Sequence, residues 1–467
     1  MQSSRFFSIV LAVVSFGLRS FAQSHPDLKE IHDRALEAKS RLRVLSLALK
    51  PGFEDFSTLA YWRQSKGAKV TSAYLTNGEN SEGDVFPEYP HERAATLRRE
   101  ALEAMTVLEV EPHFLNFTDF GFSEDTSLIA EHWPRGQLRK QLSDLIDRFR
   151  PDLILVPRDA EAKGWSTRWG FVTEHLILAV QQQLKRMPGR DTWEVAKLIV
   201  DDGLGRGTGF PLDRRHPING SSPFTLASTA MESYLSLGKH SFMIKGPRKG
   251  TYRIEFPSGK MSQSLESDLP PRIPAKFRAL DSAMLKLCND IQRQSARNAV
   301  TQERGAGYLR TVAQLIDSVE LRIASPENMG SKDRKILVGW KEGLEGLRNV
   351  LLGAKLSYSL SDGMLVSRQL TYLTIDSLLG ESKGGSTSVY FPGVGYDGWI
   401  VDENWNQQLP FRTGAPYRLV SPQSVDFSLP ASVNGITTNE YGSPLWFFVF
   451  HQSPNRERNF VIKVKER

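Results

Sequence analysis

The chain has 467 residues, 59 Lys and Arg against 53 Asp and Glu (net charge +6), 40% hydrophobic and 24% charged residues, and one cysteine. At roughly 150 residues per domain this makes two or three domains, and the ordinary apolar and charged fractions exclude collagen-like, disordered and multi-span membrane classes. Cys288 alone can form no intramolecular disulfide, and every four-thiolate zinc or iron–sulfur site is excluded, so a metal would have to rest on His, Asp or Glu.

Residues 1–22 read as a secretory signal peptide. Arg5 precedes an apolar run from Phe6 to Leu18, and Ser20-Phe21-Ala22 supplies a small-x-small site with cleavage after Ala22. The run is short for a bilayer, which needs about 20 helical residues, and no later stretch is apolar enough to span. The expected location is therefore the periplasm or the medium, with no stable membrane insertion after cleavage. Interspersed acidic and basic residues, together with export, predict no nucleic-acid partner.

From Arg43 onward short apolar runs alternate with helix-period stretches. Val44–Leu49, Val70–Leu75, His113–Phe117, Leu153–Val156 and Ala196–Val200 read as strands. Glu54–Lys66, Ala94–Leu108, Gln137–Phe149 and Phe171–Lys185 read as helices. The alternation predicts an α/β domain over 40–265, with a Rossmann-like, mainly parallel sheet and helices on both faces. Ligands of such sheets bind beyond the carboxyl ends of the strands. The residues after Leu49, Leu75, Phe117, Val156 and Val200 are thus where chemistry is expected.

Pro270, Pro271 and Pro274 mark a boundary, after which 272–358 reads as a region of three antiparallel helices. Its stripes are Leu280, Met284, Leu287 and Ile291; Val312, Leu315, Ile316 and Val319; and Ile336, Trp340, Leu344, Leu347 and Leu351, with Ser331 as N-cap. Cys288 is expected to be buried among them. Across 359–467, Thr387–Phe391, Tyr417–Val420, Leu445–Val449 and Phe460–Val464 read as strands of a small β-sandwich. Trp399 and Trp405, near Asp402 and Glu403, are read as filling its core or edge rather than stacking on a sugar.

The first strand end, Ala48-Leu49-Lys50-Pro51-Gly52-Phe53-Glu54-Asp55, is a proline turn opening onto a helix. With Leu75-Thr76-Asn77-Gly78-Glu79, Arg99–Ala104, Asp119-Phe120-Gly121-Phe122-Ser123, Trp133 and Arg148–Leu155, it resembles the PIG-L (LmbE-like) de-N-acetylases. The likeness points to a subgroup of large exported members with helical and β-sandwich regions after the catalytic domain. Val200-Asp201-Asp202-Gly203 and Ala230–Gly238 are similar to later blocks of that subgroup. The resemblance implies a zinc-dependent hydrolase that removes N-acetyl groups from amino sugars.

The chain departs from that pattern where the metal should sit. The family's first motif is A-x-H-P-D-D-E, whose His and second Asp bind zinc and whose first Asp is the general base. On this register those positions hold Lys50, Phe53 and Gly52, and only Glu54 remains. The family's remaining histidine ligand falls in Asp159–Gly170, where Trp165 and Arg168 stand and no histidine occurs. The nine histidines of the chain nowhere form H-x-H or H-x-x-x-H. Ammonium and guanidinium groups only donate, and glycine and phenylalanine offer no lone pair to a metal. The expectation is therefore a degenerate member with no metal site and no cofactor, which binds a glycan, amino-sugar or cell-envelope ligand. An active N-acetyl hydrolase and a structural scaffold are the alternatives.

The candidates for residual acid–base work are Glu54, Asp55, Asp119, Asp159 and Glu161. Lys50, Glu54, Asn77, Asp119, Arg158, Trp165 and Arg168 are the candidates for ligand binding. Lys50 and Arg168 are expected to pair with Glu54, Asp159 or Glu161. Gly203–Gly209 fails as a dinucleotide cradle because Pro211 and a polar run follow it instead of a helix. That segment reads as a loop, with His216 solvated beside it. Lys245–Gly250 reads as a solvated basic hairpin.

Overall fold

Side-chain alternation along short apolar strands sets the central layer. The structure is a computed structural model, and it describes residues 27–81, 89–121, 123–157, 165–185, 195–201, 207–237, 250–256, 264–266, 269, 273–325, 330–353, 355–360, 370–379, 386–390, 400–401, 408–410, 412, 414–420, 446–452 and 460–465. Strands β1 (Arg43–Ala48), β2 (Lys69–Thr76), β3 (Glu111–Phe117), β4 (Leu153–Val156), β5 (Lys197–Asp201) and β6 (Tyr252–Phe256) form one sheet in the order β3-β2-β1-β4-β5-β6. The first five run parallel, with Arg43 opposite Lys69 and Val44 opposite Leu153, and β6 pairs antiparallel with β5.

Successive residues of each strand enter opposite cores. Leu45, Leu47, Ala73, Ile154, Val156 and Leu198 join one, whereas Val44, Ala48, Val70, Tyr74, Leu155 and Ile199 join the other. This period of two is the pleat of a sheet covered on both faces. Helix α1 (Leu28–Lys39) belongs to a second core, and the covering helices are α2 (Phe56–Ala60), α3 (Pro90–Leu108), α4 (Thr126–His132), α5 (Arg135–Phe149), α6 (Trp165–Lys185) and α7 (Pro223–Met231). The helix expected over Glu54–Lys66 is shorter: α2 gives way to a π-helical turn over Tyr61–Ser65.

That second core is helical. Helices α8 (Arg278–Ala296), α9 (Gln302–Ala324) and α10 (Ser331–Leu351) bury the three expected stripes, and α1 adds Ile31, Ala35 and Ala38. Cys288 is fully buried there, and burial pushes its thiol up to about 12. Ser331 is the first helical residue, not the cap; Gly330 takes the cap position. No described helix is long and apolar enough to cross a membrane.

The C-terminal part holds two four-stranded antiparallel sheets, β10-β12-β8-β7 and β11-β9-β13-β14. Their strands are β7 (Lys355–Leu360), β8 (Leu370–Leu379), β9 (Ser386–Tyr390), β10 (Ile400–Val401), β11 (Gln408–Pro410), β12 (Tyr417–Val420), β13 (Trp446–Gln452) and β14 (Phe460–Lys465). Residues 1–26, with the expected signal peptide, and Trp399, Trp405, Asp402, Glu403, Gly203 and Lys245 lie outside the described residues.

Candidate functional site

The strand order reverses between β1 and β4, so a crevice opens at their carboxyl ends. Lys50 stands immediately past β1. Leu49 is fixed there because its carbonyl accepts from the Thr76 backbone N–H (2.8 Å) and hydroxyl (3.0 Å). Pro51 and Gly52 then reverse the chain, and the Phe53 N–H closes the turn on the Lys50 carbonyl at 3.2 Å. Gly52 has φ of 88°. Proline first and a left-handed glycine second is the pattern of a type II turn, so Gly52 is a backbone hinge.

Asp119 arrives from β3 through a bulge. Tyr74 pairs with Phe114 but Thr76 pairs with Phe117, and Asn116 in between adopts φ of 57°, a conformation asparagine tolerates better than most residues. The extra residue turns the strand end inward. Trp133 secures it by donating its indole N–H to the Thr118 carbonyl (2.9 Å), and Asn80 donates to the Asp119 carbonyl (2.6 Å).

Arg168 comes from the first turn of α6, a helix that begins six residues earlier than the sequence pattern suggested. Its guanidinium is fully buried and lies over the rings of Phe120 (4.8 Å) and Trp133 (5.0 Å). Each such desolvated cation–π contact is worth up to about 2 kcal/mol. Burial lowers the Arg168 pKa to about 10, against the opposing effect of Asp119.

These elements bring Lys50, Asp119 and Arg168 together. Arg168 Nη2 donates to Asp119 Oδ1 at 2.9 Å, and Lys50 Nζ stands 3.8 Å from Oδ2, with its ammonium 5.0 Å from the Phe53 ring centre. Asp119 is 1% exposed. Among the described residues the partner of both cations is thus Asp119, not Glu54. Asp159 and Glu161 lie outside those residues, as does Arg158, and the Trp165 side chain is likewise undescribed.

Glu54 is hydrogen-bonded apart from this triad. Its Oε1 accepts from Tyr74 (2.9 Å) and Tyr234 (2.6 Å), while its Oε2 is buried without a hydrogen-bond partner. Burial pushes its carboxyl up to about 7, against the lowering effect of the two tyrosines. Asp55 is tied into the start of α2. Its carboxylate caps the helix through the Thr58 N–H (3.0 Å) and also accepts from the Thr58 hydroxyl (2.7 Å) and Tyr252 (2.8 Å).

Asn77 belongs to the site by a short relay. Its amide donates to Glu79 (3.3 Å), and Glu79 accepts the Asp119 backbone N–H (3.1 Å). Asn77 Oδ1 and Asp119 Oδ2 are both buried acceptors with no hydrogen-bond partner. Phe120, Trp133 and Glu79 were not singled out for a role from the sequence. The Asp-Phe-Gly-Phe-Ser block with its downstream tryptophan was the available signal.

The described donor set does not fit zinc at this position. Two of its three groups carry protons and positive charge, and the carboxylate already faces both. Among the described residues, the one grouping close enough for a metal is His32, Asp33 and His216, with ligand atoms within 4.8 Å of one another. It lies between α1 and the segment before α7, and hydrogen bonds account for it. Asp33 Oδ1 faces His216 Nε2 (2.8 Å) and His32 Nδ1 (3.2 Å). The Ile218 N–H points at His216 Nδ1 (3.3 Å), which places the proton of a neutral ring on Nε2, where a metal would need a lone pair. His216 is therefore buried and tied, not solvated as its loop position suggested.

The family model described as GlcNAc-PI de-N-acetylase, PIG-L, matches residues 55–166. Among solved structures, a conserved protein of Thermus thermophilus is 18% identical, with 48% of this chain and 99% of that one covered and a TM-score of 0.32. The N,N'-diacetylchitobiose deacetylase of Pyrococcus horikoshii is 17% identical, with 45% and 83% covered and a TM-score of 0.33. A deacetylase of the teicoplanin biosynthesis pathway is 16% identical, with 45% and 96% covered and a TM-score of 0.30. No curated protein matches the chain by sequence.

Proposed function

From a chain whose residues 55–166 carry the PIG-L family pattern on a PIG-L-like α/β core, we propose an exported protein that binds N-acetylated amino-sugar glycans without cleaving them. The observation that carries this reading is Asp119 Oδ2, a buried acceptor with no hydrogen bond, set beside the Lys50 ammonium at 3.8 Å. Buried polar atoms left without partners invite an explanation, and a ligand donor is one. An acetamido group complements this pair: its N–H donates to the carboxylate, and its carbonyl oxygen accepts from a cation. Asn77 Oδ1 offers a second acceptor for a sugar hydroxyl.

Turnover by the family's route needs a metal-bound water and a base. In this reading the Lys50–Asp119–Arg168 group takes the place of that metal, and Gly52 that of the base, so the chain holds the amide and does not hydrolyse it. The C-terminal sheets, packed as a β-sandwich, would add an accessory domain, and cleavage after Ala22 would release the protein to the periplasm or medium. Glu54, a buried carboxyl near pKa 7, favours a second reading in which it acts as acid or base in a metal-free hydrolysis.

The test is a glycan array and an acetate-release assay with N-acetylglucosamine oligomers on the mature protein, with zinc content measured in parallel. The expected result is glycan binding that Asp119→Ala abolishes, less than stoichiometric zinc and no released acetate. Acetate release lost on chelation, with stoichiometric zinc, would overturn the reading in favour of an active deacetylase. Chelator-resistant release lost in Glu54→Gln would favour the second reading, and absence of any glycan binding would leave a scaffold.

A further inference from the structure

A second cleft, of about 380 Å³, lies where α1, the π-helical turn, α8 and the segment before α7 meet. Its size suits a small ligand, since such sites run from about 300 to 1,000 Å³. Its charge is one-sided: Lys39, Lys66, Arg214 and Arg215 line it, His32 and His216 add two imidazoles, and no acidic residue is in the lining.

The cations are only partly answered within the protein. Arg214 and Arg215 are exposed and, among the described residues, have no hydrogen bond or ion pair. Lys39 donates to two neutral amides, those of Asn289 (2.8 Å) and Gln292. Burial foremost, with a contribution from the nearby Arg214 charge, lowers its pKa. Lys66 has a carboxylate, Glu266 at 2.5 Å, and the Arg214 charge also acts on that carboxylate from further off. Asp33, behind the two imidazoles, is held well below the ordinary carboxylate range: burial would raise it, but hydrogen bonds from His216, His32 and Lys29 outweigh that.

We propose that this cleft binds a phosphate or sulfate ester of about monosaccharide size. Arginine forks and lysine ammonium groups converging on one cavity match a tetrahedral oxyanion, whose several acceptor oxygens can take a bond from each. The neutral remainder of the lining, including Gln64, Ser65, Ser221 and Gln292, offers donors and acceptors suited to sugar hydroxyls. The site is separate in its residues from the triad at the strand ends and does not depend on the function proposed for it.

Isothermal titration of the mature protein with glucosamine 6-phosphate, glucosamine 6-sulfate and glucosamine, at matched ionic strength, tests the proposal. Either ester should bind while glucosamine does not, and the tighter of the two names the ester. The double variant R214E/R215E should bind the ester at least about tenfold more weakly, because four units of charge change close to the anion. Its thermal midpoint should stay near that of the parent, since both side chains are exposed and make no hydrogen bond or ion pair among the described residues; Arg215→Gln serves as a milder variant if it does not. The proposal is overturned if neither ester binds, or if binding is unchanged in these variants. Loss of ester binding in Asp119→Asn with retention in R214E/R215E would place the ester at the strand ends and also overturn it.

Discussion

Replacing Asp119 by asparagine keeps the shape of the side chain and removes the charge on which Lys50 and Arg168 converge. Opposite charges about 4 Å apart at an effective dielectric of about 20 attract by roughly 4 kcal/mol, and both pairs here are at least that close. Part of that attraction offsets the desolvation of three buried groups, so the measurable quantity is the loss on removing one partner, about 3–5 kcal/mol. In a unit of roughly 200 residues each kcal/mol lowers the midpoint by about 2–4 °C, which puts the expected fall near 10 °C. Calorimetry of Asp119→Asn, Arg168→Met and the double variant gives both the size of the loss and the coupling. Arg168→Met should cost less when Asp119→Asn is already in place, with a coupling of about 1–3 kcal/mol. A single-variant loss below about 0.5 kcal/mol would refute the argument that Asp119 holds the two cations in place.

Two further outcomes follow from neighbouring residues. Glu54 titrates near 7 in the folded protein and near 4.5 when unfolded, so between those values the folded state holds more protons and stability falls as pH rises, by about 3 kcal/mol in all. Urea unfolding at pH 5 and pH 7 should show that fall in the parent and a flatter profile in Glu54→Gln; equal slopes would contradict it. Gly52→Asp forces a side chain onto a backbone at φ of 88° and should cost about 1–2 kcal/mol. An unchanged thermal midpoint would show that the turn tolerates a carboxylate.

Much of this was legible in the sequence because it rests on local pattern. The apolar runs that became β1, β2, β4 and β5 are within a residue or two of their expected bounds, and the parallel topology led to Lys50 and Asp119 just past their strands, whereas Arg168 came from the resemblance. What stayed hidden depends on contacts between distant segments. The pairing of Lys50 and Arg168 through Asp119 needs the bulge at Asn116, which no periodicity announces. Asp55 is engaged locally by Thr58, but its bond from Tyr252 depends on β6, nearly two hundred residues further along the chain. Helix α1 escaped notice because its buried face is Ile31, His32, Ala35 and Ala38, with a single large apolar side chain among them.

Helix α1 also makes the bundle discontinuous in the chain. Lys39 hydrogen-bonds Asn289, 250 residues away, so the polypeptide leaves the bundle, builds the α/β unit and then returns. The α/β unit is in effect an insertion in a helical host, and no single cut separates the two. A fragment starting at residue 40 would strip a wall from the bundle and uncover Trp340's neighbours. A chain emerging from its N-terminus must keep Ile31, Ala35 and Ala38 exposed until α8 and α10 have been made. Closing that long loop is a late and slow step by its contact order, and a holding chaperone would have the most to do during that interval.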